Sequence, residues 1–214
     1  MRMKRLFTHL FWDFDGTLYD TYGQMTGAML RALDDRKIFA PSAEIYSLLK
    51  VSVSHAAEVL AEKLSLSEAA LLDAFHHYHE QLLRFEMYPG TDACIRKLKA
   101  LGCEHYLYTH RNRTAVRQLE ADGLACYFSG FVTKEEGYPR KPAPDALEAM
   151  LKQYKAAPAD AVMIGDRGLD IFAGHNAGMA GILFDPQGLF PEIPTEYQVR
   201  SMEQLTALIS GGAV

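Results

Sequence analysis

The rhythm of apolar and polar positions changes twice along the chain, and each change predicts a different architecture. Leu6-Phe7 and Leu10-Phe11-Trp12 form an apolar run rich in β-formers that leads directly into Asp13-Phe14-Asp15-Gly16-Thr17-Leu18. That pattern predicts a buried strand of the parallel type whose carboxyl end opens into a tight turn. From there the apolar positions take helical spacing for some seventy residues. They run through Met25, Met29, Leu30 and Leu33, then Ile45, Leu48 and Leu49, then Val59, Leu60 and Leu64, and finally Leu71, Leu72, Phe75, Leu82 and Leu83. Breaks are expected at Ala40-Pro41-Ser42, Val53-Ser54 and Ser65-Leu66-Ser67, the last followed by Glu68 as a helix start. Tyr88-Pro89-Gly90 is a turn signal that ends this small helical bundle.

Beyond it strands and helices alternate. Helices are predicted at 91–101 and 113–122, stopped by Gly102 and Gly123, and at 144–154, 169–176 and 202–209. Strands are predicted at 104–109, 128–133, 161–164 and 181–184. Such alternation implies right-handed β-α-β units and an α/β fold with a doubly wound, mostly parallel, Rossmann-like sheet covered on both faces. The expected division is an α/β core of residues 1–17 and 88–214, with 18–87 inserted as a helical domain. Residues 187–196, flanked and interrupted by Pro186, Pro191 and Pro194, read as an ordered surface loop.

Composition narrows the function. A net charge of -5 with dispersed Lys and Arg gives no basic field for nucleic acid. Cys94, Cys103 and Cys126 lack metal-ligand spacing and read as reduced thiols. The basic start is followed by an apolar stretch that Thr8, His9 and Asp13 interrupt, with no small-residue cleavage site, so no leader is expected. No run approaches the roughly 18 apolar residues of a membrane span. A cytoplasmic protein without nucleic-acid or membrane partners is expected.

Four predicted strand ends carry candidate chemistry, at the edge where open α/β sheets bind ligands. The first offers Asp13 and Asp15, which can share a divalent cation while one carboxylate faces a substrate, or which simply form an Asx-type turn; Thr17 follows. At the second, Thr109 either bonds phosphate oxygens together with a loop amide or caps the next helix. The third holds Lys141 between Pro139 and Pro142, on a stiff loop just before a helix. The fourth is Gly165-Asp166, with Asp170 four residues later. Asp166 projects towards the cation of Asp13, and Asp170 orients the cation's water, orients the lysine, or complements the helix dipole.

Together, Asp13-Phe14-Asp15-Gly16-Thr17, Thr109, Lys141 and Gly165-Asp166 with Asp170 make the chain resemble the haloacid dehalogenase-like hydrolase superfamily. The resemblance covers the whole chain. It points to the branch with a helical cap inserted after the first motif, and more narrowly to phosphoglycolate-phosphatase-like members. It implies Asp13 as the nucleophile that forms an aspartyl-phosphate, and Asp15 as the acid and then the base. It further implies Mg²⁺ on the Asp13 carboxylate, the Asp15 backbone carbonyl and Asp166, with Lys141 and Thr109 on the phosphate oxygens. Hard oxygen ligands without His or Cys favour Mg²⁺ over zinc. Halide departure needs no proton, so an acid at Asp15 argues for phosphoryl transfer over carbon–halogen cleavage.

The expected activity is therefore hydrolysis of a small phosphorylated metabolite. Its rivals are a phosphomutase of the same family and a non-catalytic binding protein that keeps the fold. Around the motifs, His110 joins Thr109 and Lys141 as a candidate at the phosphate. Tyr19, Arg111 and Arg140 are candidate substrate contacts, with Arg111 and Arg140 equally readable as solvated cations. His76, His77 and His79 read as a polar helix face rather than a metal cluster.

Overall fold

The computed structural model describes residues 6–81 and 84–211. Leu82 and Leu83, expected in the last inserted helix, lie outside them, as does the basic start 1–5. The chain divides into two compact units, Asp20–Glu86 and the remainder on either side of it.

In the larger unit the apolar run before Asp13 becomes β1 (His9–Trp12), with Leu10, Phe11 and Trp12 fully buried. β2 (Glu104–Tyr108), β3 (Phe128–Val132), β4 (Ala161–Gly165), β5 (Ala180–Phe184) and β6 (Tyr197–Val199) join it in one six-stranded sheet of order β3-β2-β1-β4-β5-β6. Every pairing in it is parallel. Trp12 lies level with Leu107 on one side and Ile164 on the other. The ends of β1, β2 and β4 therefore come up side by side, with the chain leaving β1 in both directions across the sheet. That is the topological switch point at which such sheets hold a ligand.

Side chains alternate across the sheet. Phe11, Tyr106, Tyr108 and Met163 face one way and bury against Leu147, Met150 and Leu151 of α7 (Asp145–Tyr154) and Ala173 of α8 (Gly168–Asn176). α5 (Thr91–Ala100) and α9 (Met202–Ile209) pack against each other, burying Leu98, Leu205 and Ile209. α6 (Thr114–Ala121) follows β2. The predicted elements recur within a residue or two of their expected limits. β6 is an addition: three residues behind a proline-studded loop are too few to show a period. Residues 187–196 are ordered by carboxylates, since Asp185 accepts the amides of Leu189 and Phe190, and Glu196 accepts the amide of Gly181.

The smaller unit is a bundle of α1 (Tyr22–Asp34), α2 (Ser42–Val51), α3 (Val53–Leu64) and α4 (Glu68–Glu80) around Met29, Leu33, Ile45, Leu49, Leu60, Leu71 and Phe75. The second break falls at Ser52 rather than at Val53-Ser54, because the Ser52 hydroxyl accepts the His55 amide and caps α3. Ser67 caps α4 in the same way, at the expected place. The unit is two residues shorter at its start than expected, since Tyr19 pairs through its backbone with Asp15 and Met87 and so stays with the sheet. Among the described residues no helix is long and apolar enough to cross a membrane.

Beneath the sheet, His105 is wholly buried and its Nδ1 accepts the Trp12 indole N–H at 3.0 Å. Indole only donates, so the ring is neutral with its proton on Nε2. Burial pushes its pKa down to about 4. An unfolded chain binds that proton near pH 6.5, so the unfolded state holds more protons between the two values. The stability from this group is full above pH 6.5 and is lost as pH falls towards 4. It should reach about 2 kcal/mol between pH 7 and 5. Denaturant titrations at both pH values should show a flatter dependence in His105→Gln; an unchanged slope would assign the acid sensitivity to other groups.

Candidate active site

The turn after β1 is tight because Gly16 adopts φ 76°, a conformation that costs glycine little, and because its amide bonds the Tyr19 carbonyl. Asp13 begins the turn, fixed by its amide to the Ile164 carbonyl at 2.9 Å, so its carboxylate stands at the end of the sheet. Asp166 follows β4 and Asp170 occupies the first turn of α8; both are completely buried. Gly165 is what lets them approach: a Cβ there would lie 2.2 Å from the Asp170 Cβ. Asp13, Asp166 and Asp170 present carboxylate oxygens that all lie within 4.8 Å of one another.

Lys141 reaches the cluster from the loop before α7. Its Nζ donates to Asp13 Oδ1 at 2.7 Å, to Asp170 Oδ1 at 2.7 Å and to the Tyr108 carbonyl at 2.9 Å, which commits all three of its hydrogens. Burial would lower its pKa, but Asp13 and Asp170 hold the ammonium above the ordinary lysine value. Burial works against Asp170 as well, yet Lys141 and Arg167 keep its carboxyl below the usual range. Asp13 fares differently. Burial, with Asp170 and Asp166 close by, pushes it up to about 7 although Lys141 and Arg167 pull the other way.

Of the three buried carboxylates, Asp13 and Asp170 share the fully engaged Lys141 ammonium, and Asp166 lies 3.8 Å from the Arg167 Nε, so the acids outnumber these two cations. Asp13 Oδ2 is buried and has no hydrogen-bond partner among the described residues. An all-oxygen donor set with excess negative charge and an unpartnered carboxylate oxygen fits a hard divalent cation such as Mg²⁺. Asp170 is the poorest ligand of the three, since Oδ1 accepts from Lys141 and Oδ2 from the Arg167 amide. Of the roles open to it from sequence it takes that of orienting the lysine and sits in the first turn of α8, where its charge complements the helix dipole; its bond from the Arg167 amide also caps that helix.

Thr109 is buried and directly follows Tyr108, whose carbonyl accepts from Lys141. It does not cap α6, which begins at Thr114; its Oγ1 accepts the Arg111 amide at 3.1 Å and keeps its own hydrogen to donate. Thr17 is buried, and its hydroxyl has no partner among the described residues.

Several expectations change. His110 is not set up as a cation for phosphate: its Nε2 accepts the Lys141 amide at 2.9 Å, and burial, then the charges of Lys141 and Arg140, push its pKa down to about 3. It is a neutral ring that anchors the lysine loop. Lys141 itself holds Asp13 and Asp170 rather than standing open to phosphate. Tyr19 is fully buried, stacked on Phe14 at 4.4 Å, with its hydroxyl donating to Asp122 at 2.7 Å; it braces the turn instead of presenting itself to a substrate. The Asp15 side chain is gripped by Arg111, which is therefore not a solvated cation. Arg140 is exposed and, with Thr109, His110 and Tyr138, lines a cavity of about 220 Å³ beside the site. Arg167 received no role from the sequence, although its place between two acids was the available signal. In the helical unit, His77 bonds Gln81 and His79 stacks between Phe75 and Phe85; His76 is exposed at the surface.

Residues 7–178 match the haloacid dehalogenase-like hydrolase family. The chain is 28% identical over 203 residues to the pyrophosphatase PpaX of Bacillus velezensis, covering 88% of each chain. It is 28% identical over 186 residues to a phosphoglycolate phosphatase of Psychrobacter arcticus, covering 79% of this chain and 80% of that one. A crystal structure of a hydrolase from Streptococcus pneumoniae TIGR4 superposes with a TM-score of 0.67 at 30% identity, over 84% of this chain and 93% of that one. With a match spanning residues 7–178 and a sheet whose strand ends gather the motif residues, the chain belongs to the haloacid dehalogenase-like hydrolases.

Proposed function

We propose that the protein is a Mg²⁺-dependent phosphatase that hydrolyses a small phosphomonoester through an aspartyl-phosphate on Asp13, with residues 20–86 as its cap. The observation that carries this reading is the Asp13 carboxylate, close to those of Asp166 and Asp170, held through one oxygen by Lys141 while the other is buried with no hydrogen-bond partner among the described residues. The phosphatase names of the relatives support the reaction class.

In this reading Asp13 attacks phosphorus in line; a bond from its carboxylate oxygen to phosphorus forms as the bond to the leaving oxygen breaks. Asp15 gives the leaving oxygen its proton and then takes one from the water that cleaves the acyl phosphate, which regenerates Asp13 and releases phosphate. Lys141 keeps Asp13 in place and supplies positive charge, and the Thr109 hydroxyl donates to a phosphoryl oxygen. Asp13 and Asp166, with the Asp15 carbonyl, would hold Mg²⁺, which neutralises part of the charge on the transferring phosphoryl group.

The test is phosphate release from a panel of phosphomonoesters, including phosphoglycolate, sugar phosphates and nucleotides, with and without Mg²⁺. Release that depends on the metal is expected. Turnover that chelator leaves untouched would exclude the metal, and a requirement for a bisphosphate would turn the reading to a phosphomutase.

A further inference from the structure

We propose that Arg111 is a subsite for a second anionic group, carboxylate or phosphate, on the leaving part of the substrate, and that the Asp15 carboxylate fills this subsite until such a group arrives. The inference rests on the phosphatase reading of the same strand ends.

Arg111 grips Asp15 as a fork. Its Nε donates to the two carboxylate oxygens at 3.0 and 3.1 Å, and a terminal nitrogen donates at 2.5 Å. This is the planar geometry with which arginine recognises carboxylates and phosphates, and lysine does not reproduce it. The pair is no ordinary surface bridge. Side-chain exposure is 11% for Arg111 and 21% for Asp15, against 57% and 32% for Lys63 and Glu44. The guanidinium lies over the Phe14 ring, 5.7 Å from its centre. The backbone beneath it is tied on both sides, its amide to Thr109 Oγ1 and its carbonyl to the Lys134 amide. The fork is thus built into the loop that also carries Thr109.

Asp15 stands two residues after the nucleophile, where the mechanism needs it to face the leaving oxygen. While both its oxygens accept from Arg111 they are turned to the guanidinium instead. An incoming anion can exchange with Asp15 on the fork and leave the guanidinium paired throughout. A neutral leaving group offers the fork nothing in exchange for Asp15, so the charge-assisted contact is given up when Asp15 turns to the leaving oxygen. Substrates with a second anion close to the scissile oxygen are therefore favoured, through binding that is realised only as Asp15 is released.

The experiment compares kcat/KM for 2-phosphoglycolate, which carries a carboxylate, pyrophosphate, which carries a second phosphate, and neutral 2-hydroxyethyl phosphate, in wild type, Arg111→Ala and Arg111→Lys. One or both anionic substrates should exceed the neutral one by roughly 10- to 100-fold in wild type, the range of a charge-assisted contact. The ratio should fall near unity in Arg111→Ala and stay reduced in Arg111→Lys, which keeps the charge without the fork. Release without such a preference in wild type, or a ratio that survives in both variants, overturns the subsite while leaving the phosphatase intact. If none of the three releases phosphate, the failure lies with the phosphatase reading. Calorimetric affinities of the same compounds for Asp13→Asn, with and without Arg111→Ala, then decide the subsite by the same ratios.

Discussion

Asp13→Asn should abolish phosphate release, by a factor on the order of 10⁵ or more, while leaving the fold in place. The size follows from the role: a carboxamide has no anionic oxygen to attack phosphorus, and the remaining groups only bind and polarise. The tolerance of the fold follows from the geometry. The Asp13 amide keeps its bond to the Ile164 carbonyl, and a carboxamide oxygen can still accept from Lys141. Burial and the neighbouring acids already push the Asp13 carboxyl up to about 7, so removing its charge relieves crowding among three carboxylates. The denaturation midpoint should accordingly move little, by about 1 kcal/mol or less in either direction. Acid quenching of wild type during turnover, followed by mass spectrometry, should find the phosphoryl group on the peptide that contains Asp13. A variant that retains more than about a hundredth of the wild-type rate would remove Asp13 from the nucleophile's role.

What the sequence discloses and what it hides separate along physical lines. The strands are legible because burial on both faces leaves uninterrupted apolar runs such as Leu10-Phe11-Trp12, and the helices because Ser67, Gly102 and Gly123 punctuate them locally. Asp13, Asp166 and Lys141 are legible as candidates because each sits at the end of such a run or on a proline-stiffened loop, and parallel register then brings them together. The partners of these side chains are another matter. Arg111 reaches Asp15 across 96 residues, and no local spacing records which cation will take which carboxylate. His110 carries the same chemical label whether it faces a phosphate or the Lys141 amide, and only burial on the folded loop decides for the neutral ring. Tyr19 next to the turn after β1 looks like a substrate contact until its ring is seen stacked on Phe14. Motif position is thus encoded locally, and side-chain partnership globally.

The second large effect concerns Lys141, whose loss should damage stability and turnover together but for separable reasons. Lys141→Met keeps the length of the aliphatic stem and removes the ammonium, which leaves Asp13 and Asp170 buried against each other without their shared donor. Breaking a buried pair from one side costs about 3–5 kcal/mol. Turnover should fall by roughly 10²- to 10³-fold, as when a preorganised charge is removed from a transition state. Adding Asp170→Asn tests the cause. Asparagine retains an oxygen that can accept the Arg167 amide, so α8 keeps its cap, while one of the uncompensated charges disappears. The double variant should regain about 1–3 kcal/mol over Lys141→Met in denaturant titrations without regaining activity. Recovery of stability alone would establish that the ammonium holds the acids together apart from its contribution to catalysis. A double variant no more stable than Lys141→Met would mean that the ammonium supports the fold through Tyr108, whose carbonyl it bonds and whose ring centre lies 4.5 Å from Nζ, rather than by compensating the two acids.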